Sequence, residues 1–272
     1  MKKSGHLQKM LTDIGAPVQY QLPLDDECIS LNPYIGKKIK LKYLDAIHCI
    51  ECGRKTSKSY NQGFCFPCFK SLAKCDMCIM KPETCHFHEG TCREPKWGEE
   101  VCFNTHYVYL ANSSGIKVGI TRASQIPTRW IDQGASEALA IFKVSNRLLS
   151  GKLEMALKDH VSDRTDWRKM LKGTPDHVDL AAKRDELLEL AANEIKRIEK
   201  EFGKSELELL NEETINIEFP VDAYPDKVKS LNFDKTPEIE GVLKGIKGQY
   251  LILDTGVLNI RKFGGYLVEF SA

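Results

Sequence analysis

Nine of the ten cysteines in this chain fall between Cys49 and Cys102, and only Cys28 stands apart. Most come as C-x2-C pairs or close neighbours. Such crowding means either disulfides in an oxidising compartment or metal ligation. The N-terminal MKKSGHLQKMLTDIGAP is basic but has no apolar run of signal-peptide length behind it, and no uninterrupted apolar stretch is long enough for a bilayer. The cytoplasm is therefore the expected location, with no membrane partner, and there the clustering favours metal.

The segment HCIECGRK places Cys49 and Cys52 three residues apart before Gly53, a glycine suited to the left-handed turn that often follows a zinc knuckle. FCFPCFKSLAK supplies a second pair, Cys65 and Cys68. The four make a complete tetrahedral set for one Zn2+. A following run, CDMCIMKPETCHFHEGTC, suggests another set: Cys75, Cys78, Cys85 and Cys92. His86 or His88 is an alternative ligand there, Cys102 with His106 is a further pair, and interleaved pairing stays open. One or two Zn2+ ions are expected. A site filled by four protein ligands leaves no position for water, so this zinc is structural.

With 42% apolar and 28% charged residues in 272, the chain has the balance of a globular protein with room for two or three domains. Its patterning predicts an α+β fold in four parts. Residues 1–47 form an N-terminal β segment, including the runs VQYQL and KKIKLKYL, and residues 48–105 form the zinc-binding module. Residues 106–173 form a small sheet-and-helix core: a hairpin in HYVYLANSSGIKVGIT, a short helix over Thr128–Gln133, a strand over Ala138–Val144 and a helix over Ser150–His160. Asp163 or Thr165 is expected to cap another helix containing Trp167. Residues 174–272 hold a long amphipathic helix and a C-terminal β unit. Thr174 and Pro175 are placed to open the helix and Gly203 to close it. The tail reads as about four short strands with glycine turns, a small barrel or an addition to a sheet.

The net charge of +1 hides an asymmetry. Residues 36–74 carry nine Lys/Arg against two Asp/Glu, and residues 116–172 carry eleven against six. Residues 176–240 carry nine against eighteen. A basic front points to a polyanion such as DNA or RNA, and the acidic C-terminal half offers a surface for a protein partner.

Within the core, Tyr109 lies on one strand of the hairpin and Lys117 and Gly119 on the next. Arg122 and Arg129 follow, and Glu154 sits in the helical SGKLEMALKDH. Tyr, Lys, Arg and Glu converging on a small sheet suit phosphodiester chemistry: the carboxylate for a divalent ion, the arginine for phosphorane charge, a tyrosine to help activate water. The stretch from Tyr107 to Leu171 resembles the GIY-YIG nuclease superfamily, closest to its compact phage-associated branch. VYL stands for the first half of its motif and KVG for the second. The resemblance implies a catalytic role for Arg129 and Mg2+ or Mn2+ binding by Glu154. Lys117 stands where the family has its second tyrosine, and His-Tyr replaces the usual glycine before the first strand's motif. The whole chain, including PETCHFHEGTCREPKWG and PTRWIDQGA, also resembles a bacterial family carrying a domain of unknown function.

The expected function is that of a nucleic-acid-binding zinc protein acting as a divalent-metal-dependent endonuclease (a hydrolase of phosphodiester bonds). Its rivals are a noncatalytic DNA- or RNA-binding module and a zinc-stabilised protein-interaction factor. The plain alternatives for single residues are that Tyr109 is an ordinary strand residue, Glu154 a helix-surface acid, and Arg129 a partner of Asp132 or another surface acid.

Overall fold

A computed structural model describes residues 1–161 and 166–272 as a mixed α+β protein. Strands β1 (Lys2–His6), β2 (Leu11–Asp13), β3 (Gln19–Leu24), β4 (Glu27–Ser30) and β5 (Lys38–Ile47) come first. The cysteine-rich segment follows, with helices α1 (Phe66–Ser71) and α2 (Pro95–Cys102). Next come β6 (His106–Asn112), β7 (Ile116–Arg122), α3 (Thr128–Asp132), β8 (Glu137–Val144) and α4 (Arg147–Lys158). Helices α5 (Trp167–Met170), α6 (Leu180–Leu190) and α7 (Ala192–Phe202) lead to β9 (Leu207–Leu209) and β10 (Ile215–Asn216). The chain ends in β11 (Glu238–Lys247), β12 (Tyr250–Leu253), β13 (Gly256–Asn259) and β14 (Tyr266–Ser271).

The two ends of the chain build one structure. A six-stranded antiparallel sheet runs in the order β1-β14-β5-β11-β12-β13, so the N-terminal β segment and the C-terminal β unit, expected as separate parts, share a sheet. Over the first half of β5 the alternation is clear: Ile39 and Leu41 are buried while lysines flank them. The apolar face packs with Tyr20, Leu22, Phe263 and Phe270 into the larger core. The solvent face pairs Lys40 and Lys42 with Glu238 on β11, at 2.5 and 3.2 Å, and Lys38 with Glu240. Some of the charges that look segregated along the chain thus meet across strands. The lysine stripe of β5 is no free basic face.

In the second sheet β6 is central, between β7 and β8, and both β9 and β10 add to the far side of β8. The period of two sends neighbouring β6 residues into different cores. Val108 and Leu110 pack with Leu149, Leu153 and Leu157 of α4 and with Leu180, Leu187 and Ile198 of α6 and α7. Tyr109 and Ala111 face the larger core beside Trp130 and Ile131.

Three helix expectations need correction. Thr174–Pro175 is not the start of a helix, because the Asp179 side chain accepts from the N–H groups of Ala181 and Ala182 and caps α6 five residues later. The single long helix is divided at Ala191, whose backbone (φ −93°, ψ 7°) leaves the helical region, and Gly203 closes α7 at φ 98°. Helix α4 begins ahead of Ser150, since Asn146 accepts from Leu149 N–H at 2.9 Å. The proposed caps Asp163 and Thr165 lie outside the described residues; Asp166 caps α5. Among the described residues, no helix is long and apolar enough to cross a membrane.

Candidate functional site

A four-cysteine group is positioned to bind a metal ion. Cys49 and Cys52 lie on a turn closed by Gly53 N–H donating to the Cys49 carbonyl at 2.9 Å, with Gly53 at φ 68°. Cys65 precedes α1 and Cys68 lies in its first turn. The four sulfurs all lie within 4.8 Å of one another, and Cys52 Sγ and Cys65 Sγ are 3.7 Å apart. Burial raises the Cys49 thiol, but backbone N–H groups of Cys52, Cys65 and Glu51 outweigh it and hold the pKa at about 6. Burial and then the neighbouring thiols of Cys65, Cys52 and Cys49 push Cys68 upward. Four sulfurs this close cannot all ionise by themselves; a cation at their centre would let them. The donor set holds no carboxylate, which fits a thiophilic tetrahedral ion.

The second expected set, Cys75/Cys78/Cys85/Cys92, is divided. Cys75 packs with Cys49, Phe64 and Cys65 in the first module, and its sulfur accepts from Asn61 Nδ2 at 3.6 Å. Cys78, Cys85 and Cys92 line a different, small cavity beside α2. The spacing C-x2-C suggested that Cys75 and Cys78 act together, but Asp76 separates two short turns that send them to different places. His88 is exposed, and His106 is buried on β6 with Nδ1 against the Asn104 carbonyl at 2.7 Å. Neither lines the cavity, whereas His86 does.

The five candidate catalytic residues come from four elements. Tyr109 and Gly119 pair directly across β6 and β7, and Lys117 pairs with Ala111. Tyr109 is fully buried, and its hydroxyl donates to Gln133 Oε1 at 2.9 Å. Burial raises its pKa, a rise partly offset by the nearby Arg129 guanidinium and reinforced by the charge of Glu154. Arg129 from α3 and Glu154 from α4, both half-buried, therefore lie within electrostatic reach of that hydroxyl. Lys117 is buried. At neutral pH Tyr109 stays protonated, so it can donate a hydrogen bond but not serve as a ready base. Asp132 pairs with Lys9, and its side chain is largely enclosed.

Arginines surround this corner. Arg122 and Arg129 act electrostatically on Arg147, and Arg129 acts on Arg261, whose guanidinium is depressed chiefly by burial. Like charges held near one another are unfavourable unless an anion joins them. Sequence reasoning missed Gln133, Arg147 and Arg261; only the fold brings the last, from the C-terminal unit, to this region.

Gly119 is required by its neighbour. A Cβ there would lie 2.7 Å from both Cζ and the hydroxyl of Tyr109, and the ring has no room to move because it is enclosed. Gly119→Ala is expected to cost about 1–3 kcal/mol through overpacking. Urea denaturation checks this; an unchanged midpoint would show that Tyr109 is not confined as described.

No curated protein and no solved structure matches the chain. Residues 36–268 match the family model described as "Protein of unknown function (DUF2797)", and with most of its length covered, from β5 to β14, the chain belongs to that family.

Proposed function

We propose that this protein binds nucleic acid and that its β6–α4 core is a GIY-YIG-like nuclease hydrolysing phosphodiesters with Mg2+ or Mn2+. The supporting observation is the juxtaposition of Tyr109, Arg129 and Glu154 from a central strand, a short helix and a following helix. Hairpin, short helix, strand and helix also follow one another as the resemblance implies. Glu154 would hold the divalent ion, with most of its coordination left to water. The ion, when bound, would supply Lewis acidity for hydrolysis of the phosphodiester, and Arg129 would meet the charge that builds on the phosphoryl oxygens. Protonated Tyr109 would help position these groups. Zn2+ in the Cys49/Cys52/Cys65/Cys68 site would act structurally.

The burial of Tyr109 and Lys117 favours a second reading, a noncatalytic binder that uses the same arginines. One pair of measurements separates them. Binding to DNA and RNA should weaken with salt along a clearly negative log–log slope. Cleavage should appear on adding Mg2+ or Mn2+ and vanish when those ions are removed by dialysis, with the zinc content unchanged. Salt-sensitive binding without cleavage on any substrate would favour the binder. Absence of binding at low salt would remove both readings and leave a protein-interaction role for the acidic half.

A further inference from the structure

The segment from Asp76 to Thr105 has a defined path but almost no core. Only Pro82 and Gly98 are buried in it, and no residue of it belongs to a hydrophobic cluster among the described residues. Its elements are single turns at Met77–Ile79, Pro82–Thr84 and Phe87–Glu89, and then α2. So little buried apolar area cannot offset the conformational entropy of ordering such a stretch. In segments of this kind a metal or disulfide supplies the missing stabilisation, and no disulfide is present among these cysteines.

What these turns share is a cavity of about 20 Å³, and four cysteines line it: Cys78, Cys85, Cys92 and Cys102. One comes from the first turn, one from the end of the second, one from the loop beyond Gly90 and one from the last position of α2. Each pinned point is therefore a different piece of the segment. Gly98 of α2 lets the helix approach: a Cβ there would be 3.4 Å from Cys92 Sγ and 3.2 Å from the Phe87 ring.

Arg147 is an independent sign of negative charge at this place. It is half-buried at the start of α4, donates from Nη2 to the Ile79 carbonyl at 2.6 Å, and leaves a buried Nε with no hydrogen-bond partner. Among the described residues no carboxylate forms an ion pair with it, and the carbonyl it holds belongs to Ile79, which follows Cys78 and lines the same cavity. A guanidinium removed from water needs an anion, and an all-thiolate zinc site carries a formal charge of −2.

We infer that Cys78, Cys85, Cys92 and Cys102 form a second structural metal site for a thiophilic tetrahedral cation of the zinc class, with Arg147 as its counter-charge. The four sulfurs line one cavity without all lying within 4.8 Å of one another, so a bound ion would draw them together, whereas the ligand atoms of the competing trio Asp76, Cys78 and His86 are already that close. Its polar atoms are already used: Asp76 Oδ2 binds Arg93 Nε at 2.7 Å and lies 3.5 Å from His86 Nε2, while His86 Nδ1 meets Thr91 Oγ1 at 2.7 Å. A cation there would also face the Arg93 guanidinium. The thiolate site fixes the module against α4, where the Pro82 turn lies so close that a Cβ on Gly151 would be 2.6 Å from Pro82 Cβ.

The test is metal stoichiometry on the full chain. Wild type should hold two zinc equivalents; Cys102→Ser and Cys85→Ser should each hold one; Cys75→Ser and His86→Ala should still hold two. Because a cysteine variant could misfold, the wild type is also titrated with Co2+ in the metal-free, reduced state. The second equivalent should add as much thiolate-to-cobalt absorption as the first. A single equivalent in wild type, or two retained by Cys102→Ser, would overturn the inference. So would loss of one in Cys75→Ser or His86→Ala, or a second cobalt step with markedly weaker thiolate absorption.

Discussion

Stripping the metal from the Cys49/Cys52/Cys65/Cys68 site, or replacing Cys65 by serine, is expected to unfold the first module and lower the stability of the whole chain by at least about 3 kcal/mol, since metal binding to such a site is part of the folding free energy. The module has little else to hold it. Its buried cluster is Phe64 with Cys49, Cys65 and Cys75, joined by partly buried Cys68, Phe69 and Leu72. It is also spliced into the six-stranded sheet. His48 N–H donates to the Gly265 carbonyl at 2.8 Å, and a Cβ on Gly265 would lie 2.1 Å from the His48 carbonyl oxygen. Displacing the turn at Cys49 therefore disturbs the approach to β14. Acidification should act in the same direction, because the ligands bind as thiolates and protons compete with the ion. Zinc release on a chromogenic chelator, followed together with thermal unfolding, checks the expectation. A Cys65→Ser protein with full zinc content and an unchanged Tm would refute it.

Local signals were legible where local chemistry decides the structure. The Cys-x2-Cys pairs of the first site, the Asn-Ser-Ser-Gly hairpin between β6 and β7, and the glycines that close α3 and α7 all act through residues a few positions apart. What escaped depends on long-range partners. Nothing in KKIKLKYL announces that β5 will lie between β11 and β14, or that its lysines will meet Glu238 and Glu240. Regional charge sums therefore overstated the basic front. The division of the later cysteines was hidden for a related reason: sequence proximity linked Cys75 to Cys78, while the turns separate them and bring Cys102 from α2 into their place. At the candidate catalytic corner neither the burial of Tyr109 nor the arrival of Arg261 could be read from the sequence.

Glu154→Ala is expected to abolish divalent-metal-dependent cleavage while leaving zinc content, thermal stability and nucleic-acid affinity close to wild type. The residue lies in the middle of α4, whose position is held by other means: the Asn146 cap, the buried Leu149, Leu153 and Leu157, and the tight contact of Gly151 with Pro82. Alanine is a strong helix former, so the helix itself should not suffer. A hard cation needs an oxygen ligand, and without this carboxylate the proposed site loses its anchor rather than one of several contacts. Arg129→Ala should behave differently, keeping metal binding while turnover falls by about 10²–10³-fold, the usual cost of removing one group that stabilises transition-state charge. Mg2+ or Mn2+ titrations distinguish the two variants: excess metal should not rescue Arg129→Ala, and any rescue of Glu154→Ala should need far higher concentrations. If Glu154 is only a helix-surface acid, its alanine variant will cleave like wild type and change stability by less than about 0.5 kcal/mol. That outcome would remove Glu154 from the mechanism and leave the arginine cluster as a binding surface.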